Sequence, residues 1–129
     1  MQKADEKMSS LIKGVGCDIV SVSRITELIA DQRFLNKVYT AYEQNYISKK
    51  GTQSAAGLWV AKEAVSKALG TGFVGFNIKD IEVRHNEEGA PQIALYNGAT
   101  TRSELIGVEK VHISISHDKE QALAFAVIE

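Results

Sequence analysis

The run TQSAAGLWVAKEAVSKAL (Thr52–Leu69) constrains the fold of this 129-residue sequence more than any other stretch. It is the longest helical run, and Leu58, Ala61, Ala64, Val65 and Ala68 recur at helical spacing to line one apolar stripe. Most of that stripe is alanine, so another backbone can approach closely. Gly70 is placed to stop the helix, and Gly72 and Gly75 make the exit loop flexible or sharply turned.

The remaining segments follow from changes of period. Residues 11–20 are rich in Ile and Val and predict a strand. A short helix is expected over about 24–31, capped by Ser21 or Ser23. Residues 33–50 predict one or two helices, with Thr40 as a cap, Glu43 as its capping-box partner and Gly51 as the end. Beyond the long helix, 76–84 alternates like a half-buried strand. Asn86–Gly89 predicts a turn leading to a strand around 91–96. Gly98–Gly107 is a short helix or a loop. Residues 111–117 and 121–128 predict a closing hairpin around Asp118–Glu120. The expected class is α+β, with an antiparallel sheet packed against a long central helix and shorter helices. The segment MQKADEKMSS (1–10) is expected to be a flexible terminus, leaving 11–129 as a single domain.

Composition narrows the function classes. The formal net charge is -1, so no global field draws the chain to nucleic acid or anionic lipid. No apolar run approaches the length of a membrane span. Cys17 is the only cysteine, which rules out a disulfide within the chain. The N-terminal residues lack the apolar centre of a secretory signal. The expected location is cytoplasmic, with neither nucleic acid nor membrane as a partner.

Asp18 interrupts the apolar segment IKGVGCDIVSVSRI (Ile12–Ile25). Period two puts Val15, Cys17 and Ile19 on one strand face and Gly14, Gly16, Asp18 and Val20 on the other. A carboxylate there must stay wet, be hydrogen-bonded or be paired. The two glycines remove side chains beside it, leaving room for a ligand to approach the backbone. The bland alternative is an acid that binds nearby backbone N–H groups.

Glu63 and Lys67 are four apart and share a helix face. Alone, they are as readily an ordinary surface pair. Lys62 points to a neighbouring sector, either exposed or reaching an anion at the rim. One cysteine and scattered histidines suggest no zinc cage. Two carboxylates suit a hard cation such as Mg²⁺, with water and substrate phosphates completing its shell. In VHISISHDK (Val111–Lys119), His112, Ser114 and Ser116 alternate with apolar residues. They form either a phosphate-binding face or a solvated one. The cluster of Tyr39, Tyr42 and Tyr46 is read as helix packing or an interface. Arg24, Arg33 and Lys37 form either a basic strip or scattered helix charges.

In order along the chain, GVGCDIVSVSRI (Gly14–Ile25), WVAKEAVSKALGTG (Trp59–Gly72), GAPQIALYNGA (Gly89–Ala99) and VHISISHDKEQALAFAVIE (Val111–Glu129) resemble the bacterial holo-acyl-carrier-protein synthases, small members of the 4′-phosphopantetheinyl transferases. The resemblance runs from about Ile12 to Glu129. It implies the phosphopantetheinyl transferase fold. The implied activity is Mg²⁺-dependent transfer of 4′-phosphopantetheine from coenzyme A to a serine of apo acyl carrier protein, serving fatty acid synthesis. Adenosine 3′,5′-bisphosphate leaves. By the same resemblance Asp18 and Glu63 are the metal ligands, and Glu63 and Lys67 are catalytic. Lys62, Lys67, Gly70, His112, Ser116 and His117 border coenzyme A. The resemblance further implies a homotrimer with sites between subunits, and an acidic carrier, for which Arg24, Arg33 and Lys37 are docking candidates. Two positions depart from the family pattern: Leu58 and Lys37 stand where arginine is common. A noncatalytic carrier- or nucleotide-binding module and a small structural oligomer are the competing readings.

Overall fold

Strand β1 (Gly14–Ser21) and strand β5 (Gln121–Ile128) pair antiparallel along their full length, so the two ends of the described chain lie side by side in one sheet. The computed structural model describes residues 11–129. The flexible segment expected at 1–10 lies outside the described residues. Strand β4 (Val111–His117) adds to the other edge of β5, giving the order β1-β5-β4. Strands β2 (Ile81–His85) and β3 (Pro91–Leu95) form a separate antiparallel hairpin. The α+β class and the antiparallel pairing are as the sequence predicts.

Helix α1 is Val22–Ile29, α2 is Gln32–Val38, α3 is Ala41–Lys50, α4 is Thr52–Ala68 and α5 is Asn97–Leu105. The α3 capping box forms as expected: Glu43 N–H donates to Thr40 Oγ1 at 3.3 Å, and Thr40 N–H to Glu43 Oε1 at 2.9 Å. Helix α1 begins two residues before its expected start. Its Ser21 side chain makes no capping bond and instead meets Ser23 Oγ at 2.8 Å. The 76–84 segment is not one strand. Ile78–Asp80 is a 3₁₀ turn boxed by Asn77 and Asp80, and strand geometry starts only at Ile81. Residues 97–105 settle as helix.

Helix α4 is buried nearly all round, well beyond a single stripe, because β1, β4 and β5 cover one side and α1, α3 and β2 the others. Its contact with β1 explains the two strand glycines. A Cβ on Gly16 would lie 1.9 Å from Ala64 O, and one on Gly14 would lie 2.0 Å from Ala68 O. The room expected for a ligand beside Asp18 is therefore occupied by the backbone of α4. The alanine-rich stripe works from the other side of the same contact: Ala61, Ala64 and Ala68 are buried beside Ala122, Ala124 and Ala126 of β5 in one core.

The tyrosines are packing residues. Tyr39 is buried and its hydroxyl donates to Ala55 O at 2.8 Å. Tyr42 accepts the His85 N–H at 3.2 Å and carries Arg84 over its ring at 4.4 Å. Tyr46 stacks on His85 with centroids 4.0 Å apart.

Candidate active site

Asp18 lies on the face of β1 turned toward α4, and Lys67 projects back from the last turn of that helix. Lys67 Nζ donates to Asp18 Oδ1 at 3.0 Å and to Cys17 O at 3.0 Å. The two side chains are 50% and 21% exposed, so the pair is open to solvent on the lysine side.

Glu63 sits one turn before Lys67 and is half-buried. Burial and the negative charge of Asp18 raise its carboxyl above the usual range, and Lys67 only partly offsets them. Two carboxylates thus repel across a site that holds one ammonium. Among the described residues no three His, Cys, Asp or Glu side chains cluster as a metal cage. Asp18 and Glu63 supply hard oxygen donors only, which fits a cation that takes its remaining ligands from water and phosphate.

Glu63 also opens onto a cavity of about 610 Å³. Phe34, Trp59, Phe73 and Phe76 wall it, and the exposed lysines Lys37 and Lys79 contribute charge. Phe34 and Trp59 pack with ring centroids 5.8 Å apart, fixing the wall nearest Glu63. The site therefore has the Asp18 carboxylate and the Lys67 ammonium on one side of Glu63 and an apolar chamber with cations on the other.

The other predicted site residues fall elsewhere. Gly70 follows the end of α4, three residues past Lys67, with φ 87°, a backbone geometry suited to glycine. His112 and Ser116 lie on the outer face of β4, opposite Val127 and Leu123, with His112 Nε2 3.0 Å from Glu129 Oε1. His117 takes the opposite face. It lines a second cavity of about 180 Å³ with Gly57, Leu58 and His85, at the other end of α4 from Lys67. Leu58 is buried there.

Lys62 is neither exposed nor at a rim. It has no solvent exposure, and its Nζ lies 2.6 Å from Glu43 Oε1, 2.7 Å from Ile81 O and 3.2 Å from Ile78 O. Three acceptors saturate its three N–H groups. One helical step, about 100° of rotation, turns it from the Glu63 face into the core.

Sequence reasoning missed two groups. Glu43 reads as a capping residue yet also serves as the partner of Lys62. His85, with a buried Nδ1 that makes no hydrogen bond, gave no signal in its strand.

An α+β scaffold that sets two carboxylates and a lysine beside an open cavity suits chemistry on a phosphate ester or diphosphate. The comparisons give that class a family. Residues 14–126 match the model of the 4′-phosphopantetheinyl transferase superfamily. The holo-[acyl-carrier-protein] synthase of Halothermothrix orenii is 45% identical over 121 residues, covering 91% of this chain and 97% of that protein. The crystal structure of holo-[acyl-carrier-protein] synthase from Neisseria meningitidis superimposes with a TM-score of 0.85 at 32% identity, covering 92% of this chain and 99% of that one. The Helicobacter pylori holo-[acyl-carrier-protein] synthase, in complex with coenzyme A, gives 0.80 at 30% identity, covering 89% and 99%. The chain belongs to the 4′-phosphopantetheinyl transferase superfamily and is an enzyme of that family.

Proposed function

We propose that this enzyme is a holo-[acyl-carrier-protein] synthase: it transfers 4′-phosphopantetheine from coenzyme A to a serine of apo acyl carrier protein and releases adenosine 3′,5′-bisphosphate. The observation that carries this reading is the placement of Glu63 between the Asp18–Lys67 pair and the apolar cavity. A diphosphate fits the charged side, and an extended arm of methylenes and amides fits the chamber, whose walls mix aromatic rings with Lys37, Asn77 and Lys79.

Asp18 and Glu63 would hold Mg²⁺. When bound, the cation neutralises and orients the diphosphate. The carrier serine Oγ attacks the β-phosphorus, a new P–O bond forms, and the bond to the bridging oxygen breaks. The electron pair leaves on the 5′-phosphate of the nucleotide. Lys67 stabilises that developing charge. Glu63 takes the serine proton, directly or through a water. No covalent enzyme intermediate is needed.

The active assembly is a homotrimer in this reading. Val15 and Ile19 of β1 and Leu123 and Phe125 of β5 are between 42% and 57% exposed and lie side by side on the outer sheet face. Such a contiguous apolar face favours burial against another protein surface. His112 and Ser116 share that face, on the side of the sheet opposite Asp18. They reach a coenzyme A site only if that site is built from two copies. Arg24, Arg33 and Lys37 are exposed, Lys37 at the cavity itself, and suit an acidic carrier. The setting is cytoplasmic; no helix among the described residues is long and apolar enough to cross a membrane.

Purified enzyme, apo acyl carrier protein, coenzyme A and Mg²⁺ should convert the carrier to a species heavier by one phosphopantetheine on intact-mass analysis, and EDTA should abolish the conversion. A folded enzyme that leaves a competent carrier unmodified overturns the reading.

A further inference from the structure

The saturated Lys62 ammonium has a partner that is equally tied down. Glu43 has no solvent exposure; its Oε1 accepts the Thr40 N–H at 2.9 Å and its Oε2 accepts the Val83 N–H at 2.8 Å. Together the two side chains bind four backbone groups, at Thr40, Ile78, Ile81 and Val83, and so tie α4 to the start of α3, the 3₁₀ turn and β2.

A pair withdrawn this far from water is a poor source of stability, because desolvating two charges consumes most of their mutual attraction. Apolar side chains of similar volume would fill the space as well. What apolar groups cannot do is hold backbone carbonyls at fixed hydrogen-bond distances.

One of the two carbonyls, that of Ile78, belongs to a wall of the large cavity, and the other, that of Ile81, begins the strand directly behind it. Phe76, Ile78 and Lys79 line the large cavity from one side, and Trp59 and Glu63 line it from α4. Between these two walls the chain runs through Gly70, Gly72 and Gly75, with φ of 87°, 58° and 90°. That connection has little stiffness of its own. Lys62 bridges the walls directly: it is the residue before Glu63 and it grips Ile78 O and Ile81 O.

We propose that the buried Glu43–Lys62 pair is a positioning device that sets the spacing between Glu63 and the Phe76–Lys79 wall, and thereby determines productive substrate seating in the cavity. Lys62 acts through the wall it holds and does not touch the donor substrate. The inference rests on the transferase reading of the cavity.

A double-mutant cycle on the full enzyme tests it: Lys62→Met, Glu43→Gln and the two combined. The readouts are transferase kinetics with coenzyme A and apo carrier, thermal melting, and amide hydrogen exchange over 73–81. Each single variant should lower kcat/KM by about tenfold or more and raise exchange at 76–81. The combined variant, with no buried charge, should melt near the wild type yet keep both defects, with the two mutations far from additive. If the neutral double variant recovers wild-type kinetics and exchange, the pair is merely structural and the inference fails. If Lys62→Met raises the KM for coenzyme A while Glu43→Gln leaves both kinetics and exchange unchanged, Lys62 contacts the donor and the inference also fails. A wild-type enzyme with no transferase activity would instead sink the functional reading, and exchange at 76–81 would still report whether the pair holds the wall.

Discussion

Lys67 Nζ and Asp18 Oδ1 meet at 3.0 Å although 49 residues separate them in the chain. The contact ties the last turn of α4 to the middle of β1, and it leaves the ammonium half exposed where an anionic substrate can reach it. Because the pair is partly solvated, its direct worth to stability is on the order of 1 kcal/mol or less. Lys67→Ala should therefore lower kcat/KM by roughly 100-fold or more while shifting the melting temperature little. Loss of folding in step with loss of activity would show that Lys67 is structural.

Glu63→Gln keeps the shape of the side chain and removes its charge. Turnover should fall by roughly 100-fold or more, and the Mg²⁺ concentration needed for half-maximal rate should rise. Magnesium titrations of the initial rate separate the two effects. An unchanged magnesium requirement would take Glu63 out of the metal site.

Gly16 is a steric requirement of the β1–α4 contact. An alanine Cβ would sit 1.9 Å from Ala64 O and 2.8 Å from Ala68 N, both backbone atoms that cannot swing aside. Gly16→Ala should cost about 3 kcal/mol or more, read as a lower denaturant midpoint. A near-neutral result would mean that α4 does not lie directly on the strand.

His85 should make stability pH-dependent. Burial holds its imidazole below the ordinary value of 6.5, and the charge of Lys50 adds to the effect. As pH falls below about 6.5 the unfolded chain takes up a proton that the folded chain resists. Stability is thus full above that pH and declines toward pH 5. His85→Phe preserves the stack on Tyr46 and removes the titration. Its melting temperature should fall less than that of the wild type between pH 7 and 5. Parallel curves would show that His85 contributes nothing.

Phe125 marks the outer sheet face. Phe125→Asp should convert an oligomer into a smaller species by sedimentation analysis and reduce transferase activity with it, while the melting transition stays cooperative. A variant that keeps both assembly and activity would leave the apolar face without the role assigned to it.

The local chemistry of this protein was largely legible in the sequence. The Thr40–Glu43 capping box, the turn at Asn86–Gly89 and the hairpin at Asp118 form as their residues require, because each is closed by groups only a few positions apart. The family was legible through the resemblance of four ordered motifs, whereas helical spacing alone put only Glu63 and Lys67 on a shared face.

Tertiary structure decided everything that depends on which surface lies opposite. The glycines beside Asp18 read as open space and are filled by α4. Lys62 reads as a charged neighbour of Glu63, yet a rotation of one residue carries it into the core against Glu43, 19 positions away. Val15 and Ile19 share one strand face in the sequence, and the structure turns that face outward together with Leu123 and Phe125, because alternation specifies two faces and leaves open which one the helices cover. A sequence states periodicity and reach; the long-range packing of α4 on β1 assigns each face to core, site or surface.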